Sequence, residues 1–295
     1  MSEQKMKVGI SSPILALAGD RPAWEAQAGT AEIISVATTA DRLGFDFMTC
    51  GEHVAVPPGL PRGERFYDPL ATFSFLAGQT NRLKFLPFVL VLPFHHPLEI
   101  AKRYGTLDAL SDGRLILGFG VGNLKDEFDM LDIPFADRGP RADDALKALR
   151  CALGKRVVSY RGPYYSFENM VIDPHSVQAP VPLWIGGHSS RALRRAVTLG
   201  DGWAPAPQTF GGPTPEQMRE MLDRLAPADD FDVIFTAPEP LDPLTRPDEV
   251  AETIASARRA GGTRIKLVLQ HRSLSHYLEQ LECFAELAGL DGLPA

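Results

Sequence analysis

The chain has 295 residues, 44% of them hydrophobic and 23% charged, and its formal net charge is −7. This composition is typical of a globular protein with a large core, and the acidic balance argues against nucleic acid or an anionic membrane as the main partner. Its three cysteines, Cys50, Cys151 and Cys283, are too few and too scattered for a disulfide framework or a zinc motif. The polar N-terminus, together with the lack of an apolar run of roughly 18 residues, predicts a cytoplasmic protein without a membrane span.

Strand-like apolar segments alternate along the chain with segments of helical period, which is the pattern of a parallel sheet with helical crossovers. Strands are predicted, in chain order, at residues 7–14, 45–49, 83–92, 114–118, 183–187, 202–206, 232–237 and 264–270. Helices are predicted at residues 25–43, 97–110, 140–153, 190–199 and 247–261. Gly44 stands where the first of these helices needs a left-handed cap, and Pro97 opens the second.

Residues 157–173 interrupt this alternation, because VVSYRGPYYSFENMVID has the pattern of a β-hairpin that turns at Arg161, Gly162 and Pro163. We therefore expect a hairpin insertion at this point. Eight strands with intervening crossovers fit a closed TIM-type (β/α)8 barrel better than an open sheet. No segment has the composition of a linker, so residues 1–295 are expected to form a single barrel domain.

In barrels of this type, the working residues lie in the loops that follow the strands. The segment CGEH ends in Glu52 and His53, which could act as a proton donor, a hydrogen-bond partner or a metal ligand. The alternative is a histidine packed at the base of the loop. A second segment, PFHHP, contains His95 and His96, but His96 could simply cap the helix that Pro97 opens. Because adjacent side chains point in different directions, these two histidines are not expected to serve one site.

Two glycine-rich segments follow later strands. GFGVGN spans residues 118–123, and its glycines would let a flat ring or a phosphate approach the backbone, unless they serve only a tightly packed turn. GGHSS spans residues 186–190 at the start of a predicted helix, where free N–H groups and the positive end of the helix dipole favour an anion. An ordinary serine N-cap would explain the same hydroxyl residues.

Three stretches resemble the bacterial luciferase-like monooxygenase superfamily, and within it the group of coenzyme F420-dependent oxidoreductases. The strongest covers residues 96–128, HPLEIAKRYGTLDALSDGRLILGFGVGNLKDEF, which resembles a proline-led helix, a "tLD-LS-GR" turn, a glycine-rich strand end and a Glu-Phe pair. PLWIGGHSSRALRRAVTLGDGW at residues 182–203 and ADRLGFDFMTCGEH at residues 40–53 resemble two further family segments. The similarity extends from about residue 5 to residue 270.

The resemblance implies a (β/α)8 barrel, often dimeric, with a flavin or deazaflavin ring in its mouth, so a homodimer is expected. Glu52 and His53 would border the ring and the substrate, although the family usually has Asp where Glu52 stands. Val89 and Leu90 would back the ring, where relatives carry a cis peptide bond. The residues implied in cofactor binding are Cys50, Val89, Leu90, Gly120, Val121, Gly122, Asn123, Ile185, Gly186, Gly187, His188 and Ser189. Residues 120–123 would contact the side chain of the cofactor, and residues 186–189 its phosphate.

The function implied is hydride transfer between coenzyme F420 and a small organic substrate, for which the protein positions the reactive carbon, excludes water and supplies one proton. His53 is the candidate proton donor or acceptor, because an imidazole exchanges protons near neutral pH. The aromatic candidates for the pocket wall are Phe66, Phe94, Phe128 and Trp203.

One alternative keeps the fold but uses FMN, as a luciferase-like monooxygenase that receives reduced flavin from a partner and activates oxygen. The acidic tail of F420 would need cations at the barrel mouth, and scattered arginines are usually only a solvated surface. The candidates for these cations are Arg62, Arg65, Arg138 and Arg141.

Two alternatives do not involve hydride transfer or oxygenation. A metal-dependent barrel isomerase would use Glu52, His53 and His95, but it would leave the glycine-rich segments without a task. No metal is predicted under the other hypotheses. A protein that binds the cofactor without catalysis would bind as well as an enzyme does and would show no turnover that depends on His53.

Overall fold

The computed structural model describes residues 5–17, 22–60 and 63–292, and its central element is a barrel of parallel strands. In chain order these strands are β1 Lys7–Ser11, β2 Phe47–Cys50, β3 Lys84–Pro87, β4 Leu117–Gly120, β5 Leu183–Gly186, β6 Gly202–Ala204, β7 Asp232–Thr236 and β8 Arg264–Leu267. A short strand, Leu90–Val91, continues β3 after an interruption.

The barrel closes because the second part of the third strand pairs with β4 and the first part pairs with the residue segment just before β4. The order of neighbours is β3-β2-β1-β8-β7-β6-β5-β4, and Leu90–Val91 follows β4 at the end of the sheet. Leu90 is paired with Phe119 of β4, and Phe85 of β3 forms an isolated parallel bridge with Leu115. This topology confirms the predicted TIM-type (β/α)8 barrel.

Helices surround the barrel in the described part of the chain. They are α1 Ala23–Gln27, α2 Thr30–Leu43, α3 Pro69–Ala77, α4 Pro97–Leu110, α5 Lys125–Met130, α6 Arg138–Ala152, α7 Ser190–Leu199, α8 Pro215–Leu225, α9 Asp248–Arg259 and α10 Leu274–Leu287. Two predicted helix ends are confirmed: Gly44 caps α2 with a φ of +85°, and Pro97 begins α4. None of these described helices is long and apolar enough to cross a membrane.

Two elements are interrupted where the sequence pattern predicted continuity. The helix predicted at residues 25–43 is two helices, because Gly29 is extended and serves as the N-cap of α2, with its N–H donating to the Glu32 carboxylate. The strand predicted at residues 83–92 leaves the sheet after Pro87 and resumes at Leu90. The Phe88–Val89 peptide bond within this gap is cis.

Other elements are shifted or were not predicted. The fourth strand begins at Leu117 rather than at residue 114, because residues 114–116 pair only with Phe85. The sequence pattern also left α3, α5, α8 and α10 without a prediction. Two of them carried a readable start signal, since Asp68 caps α3 and Thr214 caps α8, and proline follows each cap.

The predicted hairpin insertion is confirmed. Its antiparallel strands are Val157–Arg161 and Ser166–Val171. One carboxylate of α6 fastens it to the barrel, because Asp144 accepts hydrogen bonds from the Tyr160 hydroxyl at 2.6 Å and from the backbone N–H of Tyr164 at 2.9 Å.

Apolar side chains form two cores. A large outer core lies between the strands and the helices. A small inner core fills the barrel itself and consists of Phe47, Leu86, Ile116, Trp184, Ala204 and Ile234. Arg264 of β8 lies over the Trp184 ring and is paired with the carboxylates of Asp46 and Asp232.

Candidate active site

The loops at the carboxyl ends of β2, β3, β4 and β5 bring many of the predicted residues together. We call this end of the barrel the mouth. It consists of residues 51–53, 88–91, 120–123 and 186–189, together with His95 and Glu127, which are bonded to Glu52 and His53. In TIM-type barrels this end holds the catalytic groups. The mouth is therefore the candidate active site.

His53, directly after β2, is held by a buried carboxylate. Its Nδ1 lies 2.9 Å from Oε2 of Glu127, and Oε1 of the same carboxylate accepts the N–H of Val54 at 2.9 Å. The Glu127 side chain is 2% exposed, whereas that of His53 is 21% exposed. No residue in the described ranges forms a hydrogen bond with Nε2 of His53. This nitrogen can therefore exchange a proton with a bound ligand.

The Glu52 carboxylate is buried and bonded to neighbouring protein groups. One of its carboxylate oxygens accepts the N–H of Val91 at 2.6 Å, and the other lies 2.7 Å from Nε2 of His95. Burial opposes the charge of His95, but the hydrogen bond and the charge of Glu52 outweigh it, so the pKa of His95 is raised above its usual value of 6.5. These bonds give Glu52 a positioning role at the continuation of β3. Its predicted catalytic role stays a prediction.

The side chain of Val89 explains two of the strand-end glycines by packing. A Cβ atom on Gly120 would lie 2.6 Å from Cγ2 of Val89, and one on Gly186 would lie 2.7 Å from Cγ1. Gly122 has a φ of +79°, and a Cβ there would lie 2.6 Å from the Phe128 ring. Dense packing, the alternative that the sequence left open, therefore accounts for these glycines, and their contact with a cofactor stays a prediction.

The loop after β5 combines a helix cap with the features of an anion site. The Ser189 hydroxyl accepts the N–H of Ala192 at 3.2 Å, so it is the N-cap of α7. Gly187 has a φ of +100°, and residues 187–190 are exposed. The first amides of α7 have no intrahelical acceptor, and the helix dipole adds partial positive charge there. This loop fits a phosphate, and the predicted contact stays a prediction.

Three predicted cofactor residues offer only their backbone to the mouth. The side chains of Cys50, Leu90 and Ile185 lie in the outer core. The Cys50 thiol donates to the carbonyl oxygen of Tyr67 at 3.3 Å, and burial raises its pKa, which disfavours a reactive thiolate. The remaining predicted contacts, which are partly or fully exposed, are Val121, Asn123 and His188.

The aromatic candidates divide into two groups. The Phe66 ring contacts the His53 ring, with centroids 4.3 Å apart, and Phe94 packs against Phe128 at 4.8 Å. Phe128 and Trp203 are fully buried, which makes them core residues. Trp203 nevertheless supports the mouth, because its Nε1 donates to the carbonyl oxygen of Gly187 at 2.7 Å.

The arginines considered for an acidic cofactor tail already have partners. Arg65 and Arg138 donate to backbone carbonyl groups, and Arg141 is paired with a carboxylate. Arg138 stands beside the predicted cofactor loop, since its Nε donates to the carbonyl oxygen of Gly122 at 3.2 Å. Arg62 lies outside the described residues.

The proposed metal ligands do not converge. Glu52 is paired with His95, whereas His53 is paired with Glu127, so the three side chains that a metal-dependent isomerase would use belong to two separate pairs. Across residues 5–17, 22–60 and 63–292, no group of three His, Cys, Asp or Glu side chains is placed to hold a metal ion.

Comparison with known proteins identifies the family. The family model described as luciferase-like monooxygenase matches residues 6–238. The chain belongs to this family. It is thus an oxidoreductase or monooxygenase of the luciferase-like type, and the expectation from the sequence is confirmed at that level.

Curated relatives include both dehydrogenases and monooxygenases. The chain is 31% identical to an uncharacterized protein of Mycobacterium tuberculosis over 206 residues, and this alignment covers 65% of this chain and 69% of the relative. It is 30% identical over 199 residues to the F420-dependent glucose-6-phosphate dehydrogenase of Microbacterium testaceum, covering 66% of this chain and 57% of the relative. It is 33% identical over 129 residues to the limonene 1,2-monooxygenase of Rhodococcus erythropolis, covering 44% and 32%.

Solved structures support the fold. The coenzyme F420-dependent tetrahydromethanopterin reductase from Methanopyrus kandleri has a TM-score of 0.70 at 16% identity and covers 96% of this chain and 98% of that chain. The oxygenating constituent of 3,6-diketocamphane monooxygenase from Pseudomonas putida, in complex with FMN, has a TM-score of 0.68 at 17% identity. It covers 98% of this chain and 100% of that chain.

Glu127 is a candidate functional residue that the sequence analysis missed. Its one signal was its place in the Glu-Phe pair that ends the family-like stretch at residues 96–128. Nothing in that pattern indicated a bond to His53, which lies 74 residues earlier in the chain.

Proposed function

We propose that this chain transfers a hydride between coenzyme F420 and a small organic substrate, with His53 as the group that moves the proton. The observation that carries the proposal is the His53–Glu127 pair in the mouth. The buried carboxylate fixes the ring through Nδ1, while Nε2 is left for the ligand.

The cofactor assignment is supported by features at two sides of the mouth. The exposed backbone of residues 187–190 at the start of α7 fits a phosphate, and Val89 offers an apolar side chain between Gly120 and Gly186. When bound, the cofactor would supply the hydride chemistry. The matched dehydrogenase of Microbacterium testaceum is F420-dependent, which favours F420 over FMN.

Titration of the purified protein with each cofactor tests this proposal. We expect saturable changes in the absorbance and fluorescence of F420, with weaker binding of FMN. Quenched FMN fluorescence without any F420 binding would overturn the cofactor assignment. A second test uses the variant Gly187→Val, whose side chain would block the start of α7. This variant should bind either phosphate-bearing cofactor more weakly than the wild type does.

The second candidate is an FMN-dependent monooxygenase that receives reduced flavin from a partner protein. One observation favours it: the arginines considered for the F420 tail, as far as they are described, are already bonded to carbonyl or carboxylate groups. In this case the protein should consume oxygen when reduced FMN and substrate are supplied together, and it should not oxidise reduced F420.

Catalysis by this chain, as opposed to cofactor carriage, depends on His53. A cofactor-carrying protein without chemistry would give the same small turnover in the wild type and in the His53→Ala variant. We expect instead that turnover falls in this variant while cofactor binding persists.

A further inference from the structure

Lys266 of β8 extends into the barrel rather than into the outer core. Alternate residues of a strand face the same side, and Arg264, two positions earlier, lies over the Trp184 ring of the inner core. The Lys266 ammonium lies 4.5 Å from the centroid of the Phe88 ring. Phe88 belongs to the mouth and directly precedes Val89. Lys266 therefore lies beneath the place proposed for the cofactor ring.

This ammonium lacks a partner that could neutralise it. Arg264 on the same strand is paired with the carboxylates of Asp46 and Asp232, but no described residue accepts a hydrogen bond or an ion pair from Lys266. Its contact with the Phe88 ring satisfies none of its three N–H donors. Burial lowers the pKa of Lys266 from 10.5 to about 8. Lys266 is only partly buried, so its ammonium, which lacks a counter-charge, can be reached by a ligand that enters the mouth.

A second unsatisfied polar group lies beside it. Thr236 of β7 is the register partner of Lys266 on β8, so both side chains are on the same face of neighbouring strands. The Thr236 hydroxyl is buried, and within the described ranges it has no hydrogen-bond partner. An ammonium and a hydroxyl on one face can both donate to the same oxygen atom.

We propose that Lys266 and Thr236 together bind an anionic or electron-rich oxygen of the molecule that occupies the mouth. The inference rests on the proposed function, in which a ring cofactor and an organic substrate meet there. Two sources can supply such an oxygen: a carbonyl group of the cofactor ring, or a carboxylate or phosphate of the substrate. In either case the oxygen replaces the counter-charge that Lys266 lacks, and the ligand is held toward the β7–β8 side of the barrel.

Three variants test this binding site. Lys266→Met keeps the length of the side chain and removes the ammonium, and Thr236→Val keeps its shape and removes the hydroxyl. Lys84→Met is the matched control, because Lys84 is a strand lysine of the same barrel that already has Asp46 as its partner. Thermal unfolding of each variant verifies that it folds.

The first measurement is the dissociation constant of F420 and of FMN for each variant. If the oxygen belongs to the cofactor, the constant rises about tenfold or more in Lys266→Met and severalfold in Thr236→Val, and it is unchanged in Lys84→Met.

The second measurement follows the Nζ signal of Lys266 in protein labelled with ¹⁵N-lysine, assigned by its loss in Lys266→Met. If the oxygen belongs to the substrate, cofactor binding is unaffected in Lys266→Met. Acetate or phosphate, added to the cofactor-saturated wild type, then shifts the Lys266 signal saturably and leaves the Lys84 signal in place. Thr236→Val needs a severalfold higher anion concentration.

The proposal is overturned if cofactor binding is the same in Lys266→Met and wild type and neither anion shifts the Lys266 signal. If the wild type binds neither F420 nor FMN, the proposed function fails. The inference on Lys266 is then decided by the same anion titration on the protein without cofactor, so the two failures are distinguishable.

Discussion

Two histidines at the mouth are each bonded to a carboxylate, and the two carboxylates hold different parts of the chain. In the Glu52–His95 pair, both carboxylate oxygens are bonded within the protein. In the His53–Glu127 pair, the carboxylate is also fully bonded, but the imidazole keeps Nε2 available. The first pair therefore holds the continuation of β3, whereas the proposed function makes the second pair the proton-transfer group.

Replacement of His53 by Ala should lower kcat by about a hundredfold to ten-thousandfold, the usual contribution of a general acid or base. The dissociation constant of the cofactor should change little, because the imidazole is proposed to serve the substrate. Steady-state kinetics together with cofactor titration measure both quantities. An unchanged kcat would remove His53 from the mechanism.

Replacement of Glu127 by Gln should lower kcat by about tenfold. A hydrogen bond to a charged group contributes about 1.5 kcal/mol or more, and this free energy corresponds to a factor of about ten in rate. The amide oxygen can still accept the Val54 N–H, so the loop should keep its shape. The matched control is Asp129→Asn, an exposed carboxylate on the same helix whose partner is Lys125. Equal losses in both variants would show that the charge on α5, rather than the bond to His53, matters.

The raised pKa of His95 predicts a pH-dependent contribution to stability. A histidine whose pKa is higher in the folded state stabilises the fold fully below its unfolded pKa of 6.5, and this contribution is lost as the pH rises through the folded value. The difference in free energy of unfolding between the wild type and His95→Gln should therefore be largest at pH 6 and shrink toward pH 9. Urea denaturation across this range measures it, and a difference that grows with pH would contradict the assignment.

The lowered pKa of Lys266 predicts that folding stability rises with pH, which is opposite to the prediction for His95. Below pH 8 the ammonium is charged in both states and its burial destabilises the fold, whereas between about 8 and 10.5 the folded state alone loses the proton and stability rises. Lys266→Met should thus be more stable than the wild type at pH 7, by on the order of 2 kcal/mol, with the advantage fading above pH 8. A variant that is less stable at pH 7 would show that Lys266 is held by a partner within the protein.

At the scale of elements, the interruption of the third strand organises the mouth. The chain leaves the sheet after Pro87 and rejoins it at Leu90, and the Val89 side chain fills the space that Gly120 and Gly186 leave open at the ends of β4 and β5. The ends of β3, β4 and β5 therefore pack against one another at the point where the cofactor is proposed to bind. A substitution in one strand end should shift the backbone or side chains of the other two.

Replacement of Gly186 by Ala should destabilise the protein by about 1–3 kcal/mol, because the new methyl group would overlap with Val89. The second change Val89→Ala should recover part of this loss. Gly78→Ala is the matched control, since Gly78 has a helical φ of −78° and open space around it. Chemical denaturation measures the four proteins, and the absence of any rescue by Val89→Ala would show that the two side chains do not conflict.

At the scale of the whole molecule, the barrel accounts for the described chain, and the hairpin at residues 157–171 is an addition to it. The family resemblance leads us to expect a homodimer. Light scattering coupled to gel filtration should give twice the chain mass of 32.2 kDa. A mass of one chain at micromolar concentration would contradict this expectation.

The sequence by itself determined the elements whose signals are local. Apolar segments that alternate with helical ones predicted the barrel. Gly44, Pro97 and Ser189 indicated helix ends that the structure confirms. The hairpin insertion and the strand-end position of His53 were predicted for the same reason, because such patterns depend on neighbouring residues. Helix α3 shows that even a local cap is missed when apolar periodicity is weak, whereas α8 was missed although Met218 and Leu222 are spaced as on one helix face.

Only the tertiary structure decided which side chains meet in the mouth. The bond between His53 and Glu127 joins residues 74 positions apart, and the approach of Lys266 to Phe88 joins β8 to the end of β3. It also decided that Glu52 faces inward and that Gly120 makes room for Val89. The physical reason is that barrel closure brings distant strand ends to one place, whereas the facing of each side chain follows from a strand register that the sequence pattern leaves open.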